Sequence, residues 1–142
     1  MRPTPRTLPA VIGSTENALR ALLEQSLTPT PLDYQGWVTL NLVDRGPGDQ
    51  ATLVPALSST LGIDVPTAGT VLRSLEARGF LAVGEDCWHL APRGTELLGE
   101  LRVRVGAASA RVLEGIPDTD LATATRVLDQ VRERAVAQRT GR

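Results

Sequence analysis

Residues Leu57-Ser58-Ser59-Thr60-Leu61-Gly62-Ile63-Asp64, continued by Val71-Leu72-Arg73-Ser74-Leu75-Glu76-Ala77-Arg78-Gly79-Phe80, decide the fold of this chain. Gly62 ends one helical pattern at the position where positive φ costs least. Asp64 or Val65 opens the next helix, with Pro66 in its first turn, where a missing N–H is harmless. Ala68, Val71, Leu72 and Leu75 recur at helical spacing and face inward, and Gly79 stops the run. Ser58 is small where the two helices cross, and Ile63 fills the corner. The result is two helices joined by a tight turn, the second of them predicted over residues 65–78. Its outer face carries Thr67, Thr70, Arg73 and Ser74.

Outward from this pair, Phe80-Leu81-Ala82-Val83 and Cys87-Trp88-His89-Leu90 read as two short strands around the turn Gly84-Glu85-Asp86. Upstream, Thr52 opens the third helix of the chain, with Pro55 in its first turn and Leu53, Leu57 and Leu61 along one side. Asp44-Arg45-Gly46-Pro47-Gly48-Asp49 is a turn. It follows a second helix from Leu32 or Asp33 to Val43, striped by Trp37, Leu40 and Val43. The first helix is predicted over 9–27, with Leu19, Leu22, Leu23 and Leu27 at three- and four-residue spacing. Ser14 and Thr15 either cap a helix just before Glu16 or mark a bend after Gly13. Thr28-Pro29-Thr30-Pro31 ends it. Beyond the hairpin, a long helix from Pro92 to about Leu113 and a last one over 119–137 complete the chain. The last carries Leu121, Ala124, Leu128, Val131 and Ala135, a seam suited to another helix. The predicted fold class is mainly α with a small β-hairpin: a winged helix-turn-helix over 34–95, flanked by helical dimerisation segments over 1–33 and 96–142.

Composition fits this plan. The 142 residues are 42% hydrophobic but only 3% aromatic, so the core must be built from Leu, Val, Ala and Ile. The single cysteine, Cys87, excludes an internal disulfide and any CxxC metal or redox motif. No apolar run reaches the roughly 18 residues of a membrane span. The N-terminus lacks the apolar core of a signal peptide. These features predict a soluble, cytoplasmic protein that does not engage a membrane. All 15 basic residues are arginine against 16 acidic ones, so net charge does not announce a nucleic-acid binder.

Three segments, in order, resemble the multiple-antibiotic-resistance regulator (MarR) family. Leu27-Thr28 with Trp37-Val38-Thr39-Leu40 is similar to its second-helix region. Leu72-x-x-Leu75-Glu76-Ala77-Arg78-Gly79-Phe80 resembles the end of its recognition helix. Leu90-Ala91-Pro92-Arg93-Gly94 resembles its exit from the wing. The resemblance covers nearly the whole chain. It implies a homodimer on palindromic double-stranded DNA, often a repressor, with a small-molecule effector pocket between the dimer helices and the winged part. A helix such as 65–78 fits the major groove, its N-terminal half meeting base edges. The candidate DNA-binding residues are therefore Thr67, Thr70, Arg73, Ser74, Arg78 and Arg93. Tyr34 and Trp37 lie near the family's ligand cleft and are candidate effector contacts, although Trp37 also reads as core.

The sequence departs from the family in two places. The family's wing carries an arginine that enters the minor groove, whereas Gly84-Glu85-Asp86-Cys87 is short, acidic and without arginine. Residues 34–95 hold four arginines (45, 73, 78, 93) against six acids (44, 49, 64, 76, 85, 86). Phosphate neutralisation supplies most nonspecific affinity, so weak or strongly salt-sensitive DNA binding is expected, or help from Arg2 and Arg6 in the N-terminal arm. The alternative is a winged-helix protein-interaction or ligand-binding dimer with little DNA affinity. No glycine-rich phosphate loop, metal-ligand cluster or nucleophile triad is visible, so neither an enzyme nor a cofactor is expected. His89 has no partner at metal-ligand spacing, and Cys87 has no basic neighbour to activate it.

Overall fold

The computed structural model describes residues 6–46 and 48–141. Arg2, Pro47 and Arg142 lie outside them. Among the described residues the chain forms α1(Leu8–Leu27), α2(Tyr34–Arg45), α3(Gln50–Leu61), α4(Val65–Ala77), β1(Leu81–Gly84), β2(Cys87–Leu90), α5(Pro92–Leu113) and α6(Asp118–Thr140). The mainly α winged helix-turn-helix architecture predicted from the sequence is present.

Side-chain caps set four of the helix starts, each satisfying an amide that the first turn leaves without a partner. Thr7, Asp33, Asp49 and Asp64 accept from the amides of Ala10, Gly36, Thr52 and Thr67 respectively. Four helix starts or stops depart from the sequence reading. Helix α1 runs unbroken past Gly13, and Ser14 lies inside it, donating to the Val11 carbonyl at 3.2 Å. Helix α3 begins at Gln50, because Asp49 accepts from both the amide (3.0 Å) and the hydroxyl (2.7 Å) of Thr52. Thr52 is thus a capped residue and not the opener, and Pro55 falls in the second turn. Helices α2 and α6 extend two and three residues past their expected ends, to Arg45 and Thr140.

The chain divides into two compact units, the first reaching Ala108 and the second beginning at Ser109, within α5. The first unit holds the core. Leu40, Leu57, Leu72, Phe80, Leu98 and Leu101 are almost wholly buried, so α2, α3, α4, the hairpin and the first half of α5 share one apolar centre. Leu27 brings the end of α1 into it. Polar links tie α5 to earlier helices: Arg102 pairs with Asp44 at 2.8 Å and donates to Asn41 at 3.0 Å, and Arg104 donates to the Ser26 carbonyl. In the second unit, α6 buries no residue, and Leu128, Val131 and Val136 are exposed.

The turn between α3 and α4 is closed by backbone and side chain together. Gly62 adopts φ +68°, the Ile63 amide donates to the Ser58 carbonyl, and the Ser58 hydroxyl donates to the Ile63 carbonyl. Ser58 therefore contributes a hydrogen bond as well as small size.

Strands β1 and β2 pair antiparallel, with Leu81 opposite Leu90 and Gly84 opposite Cys87. Their turn has only two residues, Glu85 and Asp86, both at positive φ, and Gly84 belongs to the strand. The hairpin base is fastened to the start of α3. The Trp88 amide donates to Gly48, the Gln50 amide donates to Asp86, and the Trp88 indole donates to the Gln50 side chain at 2.8 Å. Gly48 must be glycine there, because a Cβ would lie 2.0 Å from the Trp88 carbonyl oxygen.

Candidate nucleic-acid interface

Helix α4 buries Ala68, Leu72 and Leu75 and leaves Thr67, Thr70, Arg73 and Ser74 exposed on its other side. The core contacts fix which face looks outward. A helix held in this way, second in a helix-turn-helix pair, suits insertion into a major groove.

The exposed polar groups are not all free. The Thr67 hydroxyl and amide hold the Asp64 carboxyl below its ordinary value, as hydrogen bonds to a charged form do. The amide contact measures 2.8 Å. The Thr70 hydroxyl donates to the Pro66 carbonyl at 3.1 Å and accepts from Arg73 Nη2 at 3.4 Å. The Arg73 guanidinium folds back along α4 beside Gly69. A Cβ at Gly69 would lie 3.2 Å from Arg73 Nη1.

Arg78 and Arg93 are held together at the other end of α4. Arg78 donates to the Pro31 carbonyl, and Arg93 Nη1 donates to the Arg78 carbonyl at 3.2 Å. Both guanidiniums lie over the buried Phe80 ring, at 5.3 Å and 4.8 Å from its centroid. Cation–π attraction and backbone acceptors thus occupy these two arginines within the chain. The structure therefore groups the six DNA-binding candidates as four along the exposed face of α4 and two fastened behind its C-terminus.

The hairpin tip presents Glu85 and Asp86, both exposed. Cys87 and His89 are also exposed, on the outer face of β2, and among the described residues no three His, Cys, Asp or Glu side chains gather to hold a metal ion. Trp37 is half-buried and packs against the core. Tyr34, also half-buried, begins α2 with the Arg20 guanidinium 4.6 Å above its ring. Neither lines the cleft of about 200 Å³ formed by Pro31, Phe80, Arg93, Glu96, Leu97 and Glu100. Sequence reasoning missed Gly69 beside Arg73 and the buried Phe80 beneath Arg78 and Arg93. A glycine inside a helix costs about 1 kcal/mol against alanine, and that cost was the available signal at Gly69.

No protein-family model matches the chain. Solved structures do resemble it. A MarR-family transcriptional regulator from Rhodococcus sp. RHA1 superposes with a TM-score of 0.74 at 22% identity, covering 87% of this chain and 92% of its own. The Mycobacterium tuberculosis MarR-family protein Rv2887, in complex with DNA, matches at 26% identity and a TM-score of 0.71, covering 89% of this chain and 98% of its own. CouR from Rhodococcus jostii RHA1, bound to p-coumaroyl-CoA, matches at 22% identity and 0.72, covering 88% and 91%.

Proposed function

We propose that this chain, a winged-helix protein of the MarR type, is a DNA-binding transcriptional regulator and not an enzyme. It binds double-stranded DNA as a homodimer, placing its two α4 helices in successive major grooves of a palindromic operator. The observation that carries this reading is the exposed polar face of α4, held outward by the buried Ala68, Leu72 and Leu75. The complex of Rv2887 with DNA supports it by likeness. The dimer is supported by α6, which buries nothing in the single chain while exposing Leu128, Val131 and Val136. Repression is the simplest outcome, since an occupied operator is blocked. No helix of the described residues is long and apolar enough to cross a membrane, which fits work in the cytoplasm.

A small-molecule effector fits the same plan. Rv2887 has been solved with salicylic acid and CouR with p-coumaroyl-CoA. In this chain an effector would act by favouring dimers whose α4 helices are wrongly spaced for DNA.

The test is fluorescence anisotropy with the DNA upstream of the protein's own gene, repeated across salt concentrations. We expect specific binding at low salt; a shallow salt slope would support few phosphate contacts, and a steep one would add phosphate contacts such as those of the N-terminal arm. Light scattering at micromolar concentration should report a dimer. The exposed acids at the hairpin tip favour a second reading, a protein-interaction or ligand-binding dimer. Absence of any specific shift at low salt, with the dimer intact, would establish that reading instead.

A further inference from the structure

We infer that Gly69 and Thr70 are positioning residues that set Arg73 to read a guanine, so that one turn of α4 holds a prepared base-reading unit. The proposal rests on the regulator reading above. Arg73 is the only cation between Val65 and Ala77. A free arginine on an exposed helix sweeps a wide arc and finds phosphates as readily as bases. Here the guanidinium is drawn back toward the N-terminal half of α4, the part that meets base edges in this docking mode. Two neighbours hold it. The Thr70 hydroxyl has committed its proton to the Pro66 carbonyl, at 3.1 Å, so toward Arg73 it can only accept, and Nη2 lies 3.4 Å away. Gly69 leaves the space that Arg73 Nη1 approaches, where a methyl group would stand 3.2 Å from it.

The hydrogen bond to Thr70 uses one guanidinium N–H. The remaining Nη1 and Nη2 protons still form the fork that matches O6 and N7 of guanine. Thr70 is therefore assigned to Arg73 and not to the DNA, since its one proton is already given to the backbone. Thr67 is similarly turned toward Asp64. Gly69 is the informative member. Alanine there would improve helix propensity, so a glycine retained for Arg73 trades fold stability for base reading.

The experiment measures binding of wild type, R73A, T70V, T70S and G69A to the wild type's preferred duplex and to a series substituting each base pair of its half-site. R73A should lose discrimination at one G·C pair by roughly 5- to 150-fold, the range of a bidentate contact. T70V should lose about 2- to 10-fold at that same pair, the value of one positioning hydrogen bond, and T70S should recover it. G69A should melt about 3 °C higher than wild type yet discriminate less at that pair. A merely structural role for Gly69 would not lower discrimination while raising stability. If T70V and G69A keep the wild-type base profile, the positioning assignment is overturned. If R73A weakens all sequences equally and lowers the salt slope, Arg73 is a phosphate contact and the guanine assignment is overturned. A wild type without base preference overturns the regulator reading and takes this proposal with it; the other two outcomes leave that reading standing.

Discussion

The exposed face of α4 and the region behind its C-terminus carry the same kind of residue to opposite effect. On that face the Arg73 guanidinium reaches back to Gly69 and Thr70 of its own helix, and the residue is exposed. Behind the C-terminus, Arg78 and Arg93 lie over Phe80 and donate to the carbonyls of Pro31 and Arg78. All three arginines are exposed, but Arg73 rests on its own helix while Arg78 and Arg93 are fastened to a buried ring and to backbone carbonyls. The fastened end has the apolar anchor: Phe80 is 1% exposed, and Gly94 lets α5 start directly against its carbonyl. An arginine near a recognition helix is thus not automatically a DNA contact, because a buried aromatic ring and free carbonyls compete for it.

Substitutions at the fastened end should produce the largest change. Phe80→Ala removes the ring beneath both guanidiniums and should cost about 3–5 kcal/mol by denaturant unfolding. Gly94→Ala places a methyl group 2.1 Å from the Phe80 carbonyl oxygen, and should cost on the order of 3 kcal/mol or more. Near-wild-type unfolding of either variant would break the contrast between the ends. Arg73→Ala comes next, with a loss of about 1–3 kcal/mol in DNA affinity and a fold stability within about 0.5 kcal/mol of wild type. A smaller effect is expected at the N-cap. The Asp64 carboxyl is held below its ordinary value in the folded chain. The stability it contributes is therefore fully present above the unfolded-chain value of 3.8 and is lost as pH falls through the lower folded value. Asp64→Asn keeps a capping side chain without the charge, so its melting temperature should fall less than that of wild type over this acid range. Parallel curves would remove Asp64 as the source of that pH dependence. The smallest change is expected for Arg78→Ala, about 0.5–1 kcal/mol of stability with unchanged DNA affinity. A clear loss of affinity there would return Arg78 to the DNA surface.

Much of this was legible from the chain itself, for identifiable reasons. Helix α4 and the hairpin follow from apolar spacing and from Gly62 and Gly79, which are local signals. The outward face of α4 follows directly from the inward Ala68, Leu72 and Leu75. The start of α3 did not follow, because Asp49 reads equally well as the last residue of a turn or as a cap, and only its contacts with Thr52 decide. Long-range partners were also hidden. The carbonyl that receives Arg78 belongs to Pro31, which lies 47 residues away, and no spacing rule reaches so far. The posture of Arg73 depends on a hydroxyl proton already given to Pro66, which a residue list cannot show.

The hairpin offers a route for redesign. Its base is fastened by the Gly48–Trp88 and Gln50–Trp88 hydrogen bonds, and at its exposed two-residue tip the Asp86 carbonyl accepts from the Gln50 amide. The anchoring therefore reaches as far as Asp86 and stops short of Glu85. A longer, arginine-bearing loop inserted between Gly84 and Asp86, with the Asp86 carbonyl kept in place, would preserve these anchoring bonds while adding a second point of contact with DNA.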